Sequence, residues 1–167
     1  MLNKGFTFIE LLVVIGIISI LVVMEVFTYT NSQRSARDGK RKADLENIRA
    51  ALEQYRSANN SYPPISSITF NPSCTANGPL QDANTPPNTY INPLPSDPYC
   101  QLYTYYYSAS SASSSSCDGT NTVCTNYTLG ARLESVPAPT CVASGTVCQY
   151  SPVSNVCNYC LGPYGAK

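Results

Sequence analysis

Lys4-Gly5-Phe6-Thr7-Phe8-Ile9-Glu10-Leu11-Leu12-Val13-Val14-Ile15 opens an apolar run that continues to Phe27, interrupted only by Thr7, Glu10, Gly16, Ser19 and Glu25. As an α-helix, residues 6–27 span roughly 33 Å at 1.5 Å per residue, enough to cross the hydrocarbon core of a bilayer. A cleaved secretory signal is the first alternative. It needs a basic leader, a shorter apolar run and small residues at its exit. Here Lys4 is the single preceding charge, and Met24-Glu25-Val26-Phe27 is a poor exit. The run is expected to remain in the mature protein.

Glu10 is the odd residue in this run. A carboxylate inside a membrane helix costs on the order of 3 kcal/mol unless it finds a partner. Cutting the chain between Gly5 and Phe6 would give Phe6 a free α-amine, largely protonated near neutral pH. That amine on a neighbouring copy would pair with Glu10 and remove the cost. The alternative is an anchor whose acidic residue is neutralised by protonation.

Beyond the apolar run the charge is unevenly spread. Ten basic and ten acidic residues cancel, and there is no His. Seven of the basic residues lie between Arg34 and Arg56, whereas residues 57–167 carry only Asp82, Asp97, Asp118, Arg132, Glu134 and Lys167. That region relies on Ser, Thr and Asn for solubility and holds all eight Cys (74, 100, 117, 124, 141, 148, 157 and 160). An even, dense cysteine set in a small domain fits an oxidising compartment, where covalent staples supplement a limited core. Zinc held by four thiolates is the competing use, but the irregular spacings favour disulfides. Arg34, Arg37, Lys40, Arg41 and Lys42 after the apolar run would argue for a cytoplasmic C-terminal side; the cysteine usage outweighs them and points outward.

The helix is expected to continue to about Ala58. Leu45, Ile48, Leu52 and Tyr55 recur at i, i+3, i+7 and i+10 as one apolar stripe, and Asn59-Asn60-Ser61 with Pro63-Pro64 ends it. A continuous helix from Phe6 would be a rod of roughly 80 Å. The basic run around Lys40 could be a patch for nucleic acid or anionic lipid. Asp38, Asp44, Glu46 and Glu53 interleave with it, so a solvated helical face, able to pair between packed subunits, is the preferred reading.

Residues 63–98 read as a loop-rich connector, Leu102 to Ser108 as a Tyr-rich strand, and Asn126 to Glu134 as its alternating partner. Ser108 to Ser116, nearly all Ser and Ala, reads as an exposed tip. The fold class is therefore α+β: a long N-terminal helix, half of it membrane-spanning, packed on a small antiparallel sheet with a disulfide-stapled C-terminal region. Cys117 to Cys124 and Cys141 to Cys148 share a spacing and a Thr-Val-Cys ending, which suggests the pairs Cys117–Cys124 and Cys141–Cys148. Cys74–Cys100 and Cys157–Cys160 complete the expected set, one of 105 possible. Cys157-Asn158-Tyr159-Cys160 also has the spacing of a thiol oxidoreductase, but nothing else suggests the parallel fold such motifs need. With no His, no phosphate-binding Gly loop and few carboxylates outside the helix, no enzyme activity, no metal site and no cofactor are expected. Asn59-Asn60-Ser61 and Asn126-Tyr127-Thr128 match glycosylation sequons, a common chance match.

The stretch from Lys4 to Ile15 resembles the processing site of type IV prepilins and type II secretion pseudopilins. The resemblance implies that a prepilin peptidase cleaves Gly5–Phe6 and N-methylates Phe6, and that Glu10 is the acidic assembly residue. It divides the chain into a leader (1–5), a transmembrane and filament-core helix (6–27), an amphipathic continuation (28–60) and a globular pilin domain (61–167). Asn60-Ser61-Tyr62-Pro63, Leu94-Pro95-Ser96-Asp97-Pro98-Tyr99 and Tyr103-Thr104-Tyr105 further resemble segments of major pseudopilins. Two features depart from the family. No Pro stands near Phe27, where many members have one, and residues 135–167 hold no Asp or Glu for the calcium site of major pseudopilins.

The implied function is a structural filament subunit, first as a type IV pilus-like fibre, second as a pseudopilin of a type II secretion or DNA-uptake apparatus. Its partners would be copies of itself or other pilins, the prepilin peptidase, an assembly platform, and membrane lipids before assembly. It would sit in the inner membrane with its C-terminal domain outward, and after assembly in a periplasmic or extracellular filament. A third reading is a single-pass anchored adhesion module whose Tyr-rich surface stacks on sugars or nucleic acid.

Overall fold

The computed structural model describes residues 5–71, 74–112, 116–117, 123–135, 141, 148 and 157–166. It has two units, divided between Ala36 and Arg37. Helix α1 (Phe8–Asn59) runs through both. Among the described residues, the first unit holds the N-terminal part of this helix and the three residues before it, and its described side chains are exposed along the apolar run. That stretch is long and apolar enough to cross a membrane.

The helix begins and ends on chemistry that the sequence supplies. At the start, Thr7 and Glu10 form a reciprocal cap described below. At the end, Asn60 takes a left-handed conformation (φ 54°) and its N–H donates to the Arg56 carbonyl at 2.8 Å. Asn tolerates this conformation better than most residues, and the bond satisfies a carbonyl the helix would otherwise leave open. Pro63 and Pro64 then carry the chain away in extended form towards a short 3-10 turn at Ile65–Ser67.

The second unit packs the predicted stripe against a sheet. Strands β3 (Tyr106–Ser110), β4 (Asn126–Ala131), β5 (Tyr159–Gly162) and β6 (Gly165–Ala166) form one antiparallel sheet in chain order. Leu45, Ile48, Leu52 and Tyr55 share a core with Tyr107, Ala109, Tyr127, Leu129, Ala131 and Leu161. Burial alternates along β3 and along β4 from Asn126 to Leu129, as one covered sheet face requires, while Gly130 and Ala131 are both buried.

Several boundaries differ from the sequence reading. The N–H groups of Leu102 and Tyr103 both donate to the Tyr99 carbonyl and close a turn that ends at Leu102, so β3 begins four residues later than expected. Ser108–Ser110 belong to that strand and Ala109 is buried, so the first part of the Ser/Ala stretch is not an exposed tip. Residues 113–115 of that stretch lie outside the described residues. The connector holds a small ribbon, β1 (Leu80–Gln81) with β2 (Thr89–Ile91). Asp82 ties its loop together by accepting from the Asn84 and Asn88 amides, their side-chain NH2 groups, and the Tyr90 hydroxyl.

All eight cysteines are joined: Cys74–Cys100, Cys117–Cys124, Cys141–Cys160 and Cys148–Cys157. The expected closures Cys141–Cys148 and Cys157–Cys160 do not occur; the four residues exchange partners into two nested bridges. The reason lies in β5. The Asn158 N–H donates to the Ala131 carbonyl, and its side chain bonds both the amide and the carbonyl of Leu133. Those bonds hold residues 157–160 extended along β4. Three residues of extended chain cover about 10 Å, beyond the roughly 5–6 Å between Cα atoms that a disulfide needs. Cys157 and Cys160 must therefore reach elsewhere, to Cys148 and Cys141 respectively.

Gly130 marks where this staple touches the sheet. A Cβ there would lie 2.8 Å from Cys157 Sγ and 3.1 Å from Cys157 Cβ. The Cys148 bridge and the β4–β5 pairing hold Cys157, so it cannot simply move aside. Gly130→Ala is expected to lower stability by about 1–3 kcal/mol, the usual cost of overpacking. Thermal unfolding of the full chain in detergent reads this directly; an unchanged Tm would mean the close approach is not maintained in solution.

Candidate functional site

Two sets of residues hold chemistry beyond core packing. The first is the helix start. Thr7 is the cap residue and Glu10 the third residue of the helix, the spacing of a capping box. The Thr7 N–H and hydroxyl both donate to Glu10 Oε2, at 3.0 and 2.8 Å, while the Glu10 N–H approaches Thr7 Oγ1 at 3.4 Å. Phe6, 85% exposed, precedes the cap, and Gly5 is exposed before it. Among the described residues, the Glu10 carboxylate is bonded by the Thr7 N–H and hydroxyl. Neither carries a compensating positive charge.

The sequence candidates Gly5, Phe6 and Glu10 are thus adjacent on one exposed helix end, followed by exposed Ile9, Val13 and Val14. A surface this apolar is unstable against water and must be covered by lipid or by protein. One carboxylate beside it offers a single oriented, charge-selective contact.

The second set is a buried ion cluster in the outer unit. Arg41 is 0% exposed. Its guanidinium makes a two-pronged contact with Asp97 (2.7 and 2.9 Å) and also reaches Asp38 (2.9 Å) and Glu134 (2.8 Å). Arg37 forks onto the same Glu134. The Tyr103 ring covers the Arg41 guanidinium at 5.1 Å. Asp38 also accepts from the Glu134 and Ser135 amides and from the Ser135 hydroxyl. One helical turn therefore gathers the loop before β3 and the segment after β4.

The electrostatics follow from those partners. Burial pushes the Asp38 carboxyl up, but the Ser135 hydroxyl, the two amides and Arg41 outweigh it, and its pKa falls below the ordinary value. Hydrogen bonds from Arg37 draw Glu134 down, with burial opposing and Arg41 assisting. Burial would release the Arg41 proton, yet Asp97, Glu134 and Asp38 hold it more firmly than usual. Asp44 stands apart: burial raises its pKa, only partly countered by the Tyr105 hydroxyl that donates to it at 2.7 Å.

This cluster corrects the reading of the basic run as a solvated face. Lys40 and Lys42 are exposed, but Arg37 and Arg41 are bound within their own unit and are not available to a neighbour. The rarity of charge after residue 57 was the signal: two of its six charged residues, Asp97 and Glu134, complete the cluster. The same geometry does not suit calcium, because the carboxylates that converge do so on a guanidinium.

The Tyr residues do not assemble a stacking surface among the described residues. Tyr62, Tyr105, Tyr107 and Tyr127 are buried, with hydroxyls on Glu53, Asp44, the Pro63 carbonyl and Glu53 respectively. Tyr164 is 95% exposed at the β5–β6 turn. Asn59, in one sequon, has its side-chain NH2 bonded to the Tyr55 carbonyl and the Tyr90 hydroxyl.

Residues 28–118 match the family profile "Type II secretion system (T2SS), protein G", and residues 1–24 match the prokaryotic N-terminal methylation motif. Type II secretion system core protein G of Pseudomonas aeruginosa is 31% identical over 107 residues, covering 62% of this chain and 72% of that protein. The Escherichia coli K12 counterpart is 30% identical over 105 residues, covering 60% and 70%. That of Pectobacterium carotovorum is 29% identical over 101 residues, or 58% of this chain; the match spans 62% of the Pectobacterium protein, less than two thirds of its length. No solved structure matches significantly.

Proposed function

The chain belongs to the type II secretion system protein G family, and on that footing we propose that it is a filament-forming pseudopilin of a secretion apparatus. The carrying observation is that a methylation-motif match at residues 1–24 and a protein G match from residue 28 meet on one helix, Phe8–Asn59. The pilus-like fibre, placed first on sequence alone, yields to this reading because the relatives are secretion core proteins. The family is a structural one, and the outer unit is a carried domain rather than a reaction site.

In the proposed course of events, the helix first anchors the chain in the inner membrane with residues 37–167 outward. Prepilin peptidase removes residues 1–5 and methylates Phe6. The new amine takes over from Thr7 as partner to a Glu10 carboxylate, now on the neighbouring copy. That contact brings opposite charges together in a medium of low dielectric, where their attraction is strong. The exposed apolar helices then cover one another as the subunit leaves the lipid for the filament, guided by an assembly platform. Membrane lipid is the partner before assembly, and other copies or related pilins are the partners after it.

Intact mass and N-terminal peptide analysis of the protein isolated from its host membranes test the first step. The expected result is a chain starting at Phe6 and carrying one added methyl group. A chain that retains Met1 or residues 1–5 would reduce the protein to an anchored domain.

A further inference from the structure

The nested bridges of the C-terminal tail carry an inference about how this chain matures. Cys74–Cys100 and Cys117–Cys124 each join cysteines that are consecutive in the chain, whereas Cys141–Cys160 encloses Cys148–Cys157. Cys141 and Cys148 are seven residues apart, the same separation as the pair Cys117–Cys124, which does close. The native outer bridge spans 19 residues. Loop-closure probability falls with about the three-halves power of length, so Cys141 meets Cys148 about fourfold more readily than it meets Cys160. Export in chain order adds to this bias, since both early cysteines emerge before Cys157 and Cys160.

We propose that this chain is a substrate of a thiol–disulfide isomerase, which converts an early Cys141–Cys148 bridge into the native nested pair. The proposal rests on the outward topology given above but not on filament assembly. The exchange balances without an added oxidant. An isomerase thiolate attacks Cys148 Sγ, forming a mixed disulfide and releasing the Cys141 thiolate. Cys141 attacks Cys160 Sγ of a Cys157–Cys160 bridge, forming Cys141–Cys160 and releasing the Cys157 thiolate. Cys157 then attacks Cys148 Sγ, forming Cys148–Cys157 and returning the isomerase thiolate. Two disulfides enter and two leave.

The fold explains why the exchange precedes final packing. In the finished structure all four cysteines are buried, clustered with Tyr106, and Cys157 lies against Gly130. A protein thiolate cannot reach them there, because exchange needs access to the attacked sulfur. With Cys157 and Cys160 tied to each other, the extended Asn158 contacts to Ala131 and Leu133 could not form. The mispaired chain therefore leaves β5 undocked and its sulfurs open to attack.

The test expresses the full chain in bacterial cells that carry or lack an active periplasmic disulfide isomerase, with free thiols capped at harvest. Unreduced digestion with chymotrypsin and elastase separates the four cysteines, by cleavage at Tyr150, at Tyr159 and between Cys141 and Cys148 at Val142 or Ala143. With isomerase the nested pairs should dominate; without it, Cys141–Cys148 should exceed Cys141–Cys160 by about fourfold, the loop-closure ratio. Nested pairs dominating in both hosts would overturn the isomerase step alone. Eight capped thiols, with no disulfide in either host, would overturn the outward topology and the proposal with it. The double variant Cys141→Ser, Cys160→Ser removes the competing partner. Its Cys148–Cys157 bridge should form equally in both hosts, and dependence on the isomerase there would mean that Cys141–Cys148 is not the trap.

Discussion

Arg41→Ala is expected to destabilise the outer unit by about 3–5 kcal/mol, the range for breaking a buried ion pair from one side. The substitution strands Asp38, Asp97 and Glu134 around an empty centre, with only Arg37 left, on the flank of Glu134. Arg41→Lys should recover part of the loss, because an ammonium restores charge but cannot form the two-pronged contact with Asp97. Urea unfolding of the full chain in detergent, followed by tyrosine fluorescence, measures both. The pH dependence supplies a second signature. Asp38 and Glu134 have lowered pKa values in the folded state, so their stabilisation is complete above the ordinary carboxylate range near 4 and is lost as pH falls through the folded values. Without Arg41 these carboxyls gain from protonation instead. The gap between the native chain and the variant should therefore narrow in acid. A variant equally stable at neutral pH would show that the cluster contributes nothing net.

Glu10→Ala is expected to leave membrane insertion intact and to reduce filament incorporation by at least tenfold, the change that about 1.4 kcal/mol of subunit affinity represents. Removing the carboxylate eases insertion, so the anchored precursor should accumulate normally. Incorporation should fall because the Phe6 amine of the neighbour then enters the helix bundle without a counter-charge, an uncompensated cost in a dry interior. Glu10→Gln separates charge from shape: it keeps the acceptor for Thr7 and still loses the ionic partner, so it should fail like Ala. Co-expression with the native chain and comparison of sheared filaments with membranes gives the ratio. Equal incorporation of either variant would remove Glu10 from the assembly contact.

The sequence made some of this legible and hid the rest for physical reasons. The long helix, its stripe at Leu45, Ile48, Leu52 and Tyr55, and the core of the β3–β4 hairpin follow from periodicity, because each is long enough to repeat. Strands β1, β2 and β6, two or three residues each, offer no period to read. The tail bridges were misread because similar spacing in Cys117–Cys124 and Cys141–Cys148 describes loop closure, whereas the pairing is decided by where β5 docks. Arg41 was hidden for a related reason. On the helix it is flanked by Lys40 and Lys42, with Asp38 and Asp44 three residues to either side, a mixture that suggests a wet surface, while Asp97, 56 residues away, and Glu134, 93 residues away, decide its burial. A region that avoids charge almost everywhere and then places a lone acid beside a turn gives a readable hint that the acid has a fixed partner.

The enclosing geometry of the last two bridges also governs what a break in the tail does to the chain. A cut anywhere between residues 142 and 147 leaves an upstream fragment ending near Cys141, still tied through Cys160 to the downstream piece. A cut between 149 and 156 leaves the two fragments joined twice. A protease that nicked this stretch would change the chain's apparent size only on a reducing gel, because the pieces would stay covalently joined.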